Sequence, residues 1–300
     1  MADFTITQNV QVIKEFDSTT TEGYTRSDGA WVSSGTQVYA GVITTVAFRG
    51  YIEWDVSALK HVQSIQSVWL ISDFYSAYQE SSIRGIRAGQ PSVAPDGATL
   101  YAWTGAGTAY RTESWTTNSD TRFWTIDLGS QAATDLYNDI SGSTDFFSLG
   151  TTVTTETPGA ANVLVLWGRN WDYSEPKNHI LYVKYTSNNV VTITQPKDLN
   201  RLNSRSIDEH LFKSGNFAKH DIGGRGRVIE MVGSEWGTAS ATSLSNIDDM
   251  AELGKAVTLS GFADATLNDT WLIADFNWSK KGGHDTVHYD WNMILFKPSG

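Results

Sequence analysis

The chain has 300 residues, no cysteine, and a formal net charge of −11 from 22 basic and 33 acidic residues. Zero cysteine excludes disulfides, thiolate catalysis and cysteine-ligated zinc, while the acidic balance argues against electrostatic binding to nucleic acid or anionic lipid. Aromatic residues at 12% exclude a disordered composition, and the chain lacks the run of about 18 apolar residues that a membrane helix needs.

The opening Met1, Ala2, Asp3, Phe4 and Thr5 supply neither a basic nor an apolar leader region. The expectation is a protein made and kept in the cytoplasm, or released by lysis. Strand signals dominate from there. Phe4, Ile6, Val10 and Val12 alternate over part of the first run, and β-branched and aromatic residues fill 42–48, 50–54, 67–72, 98–103, 122–127, 162–167 and 180–185. Short strands at this spacing, separated by Gly, Ser, Asn and Asp, predict a sandwich or barrel.

Three short helices are predicted between them. Ala132, Ala133, Leu136, Tyr137 and Ile140 follow helical spacing. Ser206 and Glu209 form a capping box ahead of Leu211. Ser243 or Ser245 is expected to cap a helix of about 10 residues carrying Ile247, Met250, Ala251 and Leu253 and stopped by Gly254. The polar stretch Thr186–Asn189 reads as a loop after a finished strand. It marks a boundary, with two units joined around 187–197. Residues 1–190 carry 11 basic and 19 acidic residues, net −8, and residues 191–300 carry 11 and 14, net −3.

Arg49, Ile52, Trp54, Asp55, Ser57 and Leu59, followed by Ser67 and Leu70, describe a strand of alternating aromatics, a turn led by Asp55 and Ser57, and a partner strand. This pattern resembles the DNRLRE-type jelly-roll module, related to the carbohydrate-binding modules of microbial surface proteins and polysaccharide-active enzymes. Residues 98–103, the strand and helix after Trp124, and the closing strand at 181–185 extend the resemblance over about residues 3–186. Trp54 stands where that family usually has Phe. The resemblance implies a jelly-roll sandwich, glycan-binding in some members, though fold alone does not carry function. Sugar faces need aromatic rings flanked by polar groups. The candidates are Tyr101, Trp103, Tyr110 and Trp115, in and after the glycine-rich stretch 104–107; the same rings also suit core packing.

Residues 225–297 read strand, helix, strand, strand, strand. Val228, Ile229, Met231 and Gly233 open the series; Ile247, Met250 and Leu253 lie on the helix; Val257 and Leu259, then Trp271, Ile273 and Phe276, then Trp291, Met293 and Leu295 complete it. That order is similar to the β-sandwich domain shared by tail-tube, tail-terminator and distal-tail proteins of tailed viruses, over about residues 190–298.

The remaining motifs are weaker. His284 and His288 have helical ligand spacing, but in a strand they stand about 13 Å apart and cannot share an ion. The stretch Gly223–Arg227 has the glycines of a phosphate cradle but leads into a strand, not a helix N-terminus. It suits a hinge or an arginine loop between subunits. Glu53 and Asp55 share a strand face at a spacing that glycosidase carboxylates use, although Asp55 already has a turn role. The acidic residues Asp248, Asp249 and Glu252 lie on the short helix. No Ser/His/Asp or Cys/His set has persuasive spacing.

These readings predict an all-β protein: an N-terminal jelly-roll β-sandwich (1–187) and a C-terminal small β-sandwich or barrel with one short helix (188–300). The expected function is a structural virion protein of a tailed virus, a tail or tail-tip ring component with an outward jelly roll, assembled in the host cytoplasm and released by lysis. Expected partners are copies of itself in a ring, other virion tail proteins and a host surface glycan, with no nucleic acid and no membrane. Arg225 and Arg227 of one copy would face Asp248, Asp249 and Glu252 of the next. No catalytic residue, metal or cofactor is expected. The alternative is a non-catalytic carbohydrate-binding surface module, and a third reading is a polysaccharide-active enzyme using Glu53.

Overall fold

The computed structural model describes residues 3–33, 37–77, 80–114, 122–156, 163–167, 179–202, 227–237, 239–281 and 287–297. The protein is all-β, with antiparallel sheets and three α-helices among the described residues. Two compact units divide the chain: Gln11–Thr186, and Met1–Val10 together with Ser187–Gly300. Among the described residues no helix is long and apolar enough to cross a membrane.

The first unit takes the end of β1 (Asp3–Phe16), then β2 (Thr21–Arg26), β3 (Trp31–Val32), β4 (Gln37–Ile43), β5 (Val46–Asp55), β6 (Val62–Ala77) and β7 (Glu80–Gly85). After these come α1 (Gly97–Gly105), β8 (Ala109–Ser114), β9 (Arg122–Asp127), α2 (Gly129–Ser141), β10 (Phe146–Val153), β11 (Val163–Trp167) and the start of β12 (Ile180–Thr194). One layer runs β3-β2-β5-β10-β7-β8, and a second carries β4, β11, β6, β9 and β12. β5 joins them, because β4 pairs with its first residues and β10 with its last. Cross-strand registers put Trp54 opposite Phe147 and Ile52 opposite Leu149. All four are buried, so their apolar surface supplies the main driving force for closing the sandwich.

Three local expectations fail here for physical reasons. Residues 42–48 are not one strand. The chain turns at Thr44, whose φ is 57°, and β5 then runs on unbroken through 50; a β-branched residue in that conformation gives no turn signal. Residues 98–103 are helical, not extended. Asp96 caps α1 by accepting a hydrogen bond from the Thr99 N–H at 2.7 Å, and a cap decides what a short apolar run cannot. Thr186–Asn189 is strand. β12 alternates buried and exposed positions from Leu181 to Ile193, and its inward polar residue Asn189 donates to the Asn246 carbonyl at 2.9 Å. Polar residues read as a loop only when their side chains find no partner inside. α2, by contrast, stands where the helical spacing puts it, with Ala132, Ala133 and Leu136 buried.

The second unit adds β13 (Asp198–Leu202), β14 (Arg227–Trp236), α3 (Ser240–Leu253), β15 (Val257–Ser260), β16 (Thr270–Lys281) and β17 (His288–Lys297). The strands run β13-β14-β17-β16, and β16 continues through β15 to the first residues of β1. Ile229, Met231, Trp271, Phe276, Met293 and Leu295 lie in one core with Leu244, Ile247 and Met250 of α3. The helix starts at Ser240 after Ala239, so Ser243 and Ser245 lie inside it and cap nothing. It ends at Gly254 in the left-handed region, φ 61°, a conformation that favours glycine. The expected helix at 206–211 lies outside the described residues.

The N-terminal strand is integral to this unit. Phe4 and Ile6 are buried in the same core, with Phe4 4.4 Å from Phe262 between ring centres. Gln8, buried, donates from Nε2 to the carbonyls of Met250 and Lys255 at 3.2 and 3.0 Å. Met250 is one of the last four helical residues, whose carbonyls have no partner within the helix. Gln8→Leu fills the same space but leaves both acceptors unbonded. It is expected to lower the unfolding free energy by about 1–3 kcal/mol. A urea midpoint equal to that of the unmutated chain would show that Gln8 is not the cap of α3.

Candidate functional site

An open polar cleft of about 230 Å³ lies on the first unit, lined by Arg49, Arg84, Gly105, Thr152, Val153, Thr154 and Glu156. Arg49 projects from β5, Arg84 from β7, Thr152 from β10 and Gly105 from the end of α1, so neighbouring strands and one helix terminus meet there. The Arg49 guanidinium binds Glu156 in a fork, Nε to Oε1 at 2.8 Å and Nη2 to Oε2 at 3.0 Å. Its Nη1 donates to the Tyr101 carbonyl at 2.8 Å, and its plane lies 3.9 Å above the Tyr101 ring. The Tyr101 hydroxyl closes the loop by donating to Glu156 Oε2 at 2.9 Å. A Cβ on residue 105 would sit 2.0 Å from Arg49 Nη1, so glycine there makes room for the guanidinium. Burial, and then the hydrogen bond to a carboxylate, push the Tyr101 hydroxyl up to about 12.

Arg84 is held differently. Its Nε donates to Thr152 Oγ1 at 3.2 Å and its Nη1 to the Gly107 carbonyl at 2.9 Å. Both acceptors are neutral, and among the described residues no carboxylate lies within 4.0 Å of it. The cleft therefore holds two guanidiniums and one carboxylate.

Of the three expected sugar-facing aromatics among the described residues, Tyr101 alone contacts Arg49 and Glu156 of this cleft. Trp103 packs with Tyr51, Ile86 and Leu100, its indole lying over Gly89. Tyr110 donates to Asp135 Oδ2 at 2.7 Å and stacks on Phe147. Burial first, and that hydrogen bond second, raise its hydroxyl well above the ordinary tyrosine range. Trp115 lies outside the described residues. Arg84, Thr152 and Glu156 carried no sequence signal. Arg49 did stand in the strand pattern, but its carboxylate lies 107 residues away.

The carboxylate pair is engaged elsewhere. Glu53 is 0% exposed and accepts from Gln90 Nε2 and the Ser92 N–H, both at 3.0 Å. The Ser57 hydroxyl, and then the Ser57 N–H at 2.8 Å, hold the Asp55 carboxyl below the usual range. A second polar set crosses the sandwich core: Ser72 Oγ lies 2.7 Å from His179 Nδ1, and His179 Nε2 lies 4.0 Å from Glu22 Oε2. The order of atoms is that of nucleophile, base and acid. Ser72 and His179 are 0% exposed, so no substrate reaches the hydroxyl.

In the second unit, Arg227 is exposed at the start of β14; Asp248 and Asp249 are half-buried on α3 and Glu252 is exposed. Arg225, the Gly223 loop and His284 lie outside the described residues. His288 is the first residue of β17. Its ring stacks on Trp236, centroids 4.1 Å apart and planes at 3°, and Trp236 is 62% exposed. Among the described residues no three side chains of the His, Asp or Glu type converge to hold a metal ion. No family model matches the chain, and no curated protein is significantly similar to it in sequence.

The raised hydroxyls give a pH prediction. Tyr51 and Tyr101 each stand at about 12 against an ordinary 10.0. A folded-state pKa above the unfolded one means that their contribution to stability is whole below about pH 10 and is lost as pH rises to about 12. Denaturant unfolding across that window should show stability falling, and Tyr101→Phe should make the fall shallower. An identical slope in Tyr101→Phe would remove Tyr101 as a cause.

Proposed function

We propose that the chain is a structural subunit of the tail of a tailed virus, at the tail tip or along the tube, with the 11–186 sandwich displayed on the assembly. One observation carries this reading: residues 227–297 run strand, helix, strand, strand and strand, with α3 packed into their main core, the order in which the sequence resembles tail-tube, tail-terminator and distal-tail domains. Copies of the chain would close into a ring, in contact with other tail proteins, assembled in the host cytoplasm and released by lysis. Exposed Trp236 and Arg227 supply the residue types that interfaces favour. Charge pairs between Arg227 and the α3 acids of a neighbouring copy would contribute only about 0–1 kcal/mol each, so they set register while apolar burial holds the ring.

The reading needs no chemistry from Glu53 or Asp55, whose carboxylates are both occupied. A second reading, a non-catalytic carbohydrate-binding surface module, is favoured by the polar cleft.

Native mass measurement of the full chain separates the two. The tail reading expects a closed oligomer, and a loss of copies when Arg225→Glu and Arg227→Glu are combined or when Trp236→Ser is made. A monomer at every concentration would overturn it. Release of reducing sugar from a polysaccharide, abolished by Glu53→Gln, would overturn the non-catalytic part.

A further inference from the structure

We propose that the cleft beside Arg49 and Arg84 binds one acidic sugar residue, a uronic or sialic acid, with Arg84 taking the carboxylate. This rests on the glycan-binding reading of the first unit, and it holds whether or not the chain forms a ring.

The charge arithmetic is local. The cleft holds two guanidiniums and one carboxylate on a chain whose net charge is −11. Glu156 is bound in the Arg49 fork, so Arg49 is already neutralised. Arg84 keeps its charge. A guanidinium has five N–H donors, and among the described residues Arg84 gives hydrogen bonds from Nε and Nη1, to Thr152 and Gly107. Those two bonds fix the plane of the fork before any ligand arrives, which lowers the ordering cost of binding. A planar fork with free donors matches a carboxylate.

The rest of the cleft selects against a bare or multiply charged anion. With Arg49 and Glu156 paired, the cleft keeps one positive charge, which a single negative charge neutralises, and Glu156 Oε1, which takes one hydrogen bond from Arg49, can accept another from a hydroxyl. The Thr152 hydroxyl, which accepts from Arg84, has its own proton to donate, and Thr154, which donates to the Glu80 carbonyl at 3.0 Å, can accept. A monoanion bearing several hydroxyls satisfies all of these groups. Size agrees: about 230 Å³ is below the roughly 300–1,000 Å³ of pockets for drug-sized ligands, so the cleft takes one ring rather than a chain of them.

The test uses the full chain and ligand-observed NMR titration with glucuronic acid, N-acetylneuraminic acid, glucose, acetate and inorganic phosphate. One acidic sugar should bind at least about tenfold tighter than glucose, the gain expected of one charge-assisted bond, and tighter than acetate or phosphate. Arg84→Met should remove that preference. Arg84→Gln, which keeps an N–H toward Gly107, serves if the first variant does not fold, and should remove it equally. Glucose bound as well as the acids, or binding unchanged by either variant, would overturn the proposal and leave glycan binding standing. Acetate or phosphate bound as tightly as the acidic sugars would make this a simple anion site and overturn it. Binding of no sugar at all would overturn both the proposal and the glycan-binding reading.

Discussion

Strand β5 is buried on both faces, and every polar group it carries inward must find a partner from elsewhere in the chain. Tyr51 and Glu53 face one side, where the turn at 90–92 and helix α1 cover them; Ile52 and Trp54 face the other, where Trp54 donates from Nε1 to the His179 carbonyl at 3.1 Å. Arg49 stands on the same strand and draws in Glu156 and α1 through a bidentate pair and a ring contact. Removing one partner of this part-buried pair leaves the other charge partly desolvated and unpaired. The segments around β5 are thus held by obligation to its polar groups as much as by apolar burial.

The second unit depends on a comparable debt at one helix end. α3 packs against the core of the second unit, and its Met250 carbonyl is satisfied by Gln8, from the opposite end of the sequence. The strand that carries Gln8 also carries Phe4 and Ile6 into that core. A domain border drawn on the chain as a single cut would strand these ten residues from the unit they complete.

The chemistry available to the molecule follows from the same accounting. Glu53 and Asp55 both accept backbone N–H groups, and the nucleophile-like Ser72 is sealed inside the sandwich. Arg84, by contrast, is charged, oriented and only half-buried. A binding or structural role uses such a group directly.

Period-2 alternation was enough to place most strands and to class the protein as all-β, because burial of one sheet face imposes that period on local sequence. The α2 spacing and the Gly254 stop were legible for the same local reason. Where two local signals competed, the sequence misled: apolar 98–103 became helix because Asp96 capped it, and polar 186–189 stayed in strand because Asn189 found the Asn246 carbonyl. Of the cleft, Arg49, Tyr101 and the glycine stretch carried a signal, but the meeting of its charges did not. Arg49 and Glu156 are 107 residues apart, and Arg84 and Thr152 are 68 apart. Residue type and spacing determine what each segment is able to form by itself; only the packed sheets decide which charges meet, since that depends on distances through space that no local pattern encodes.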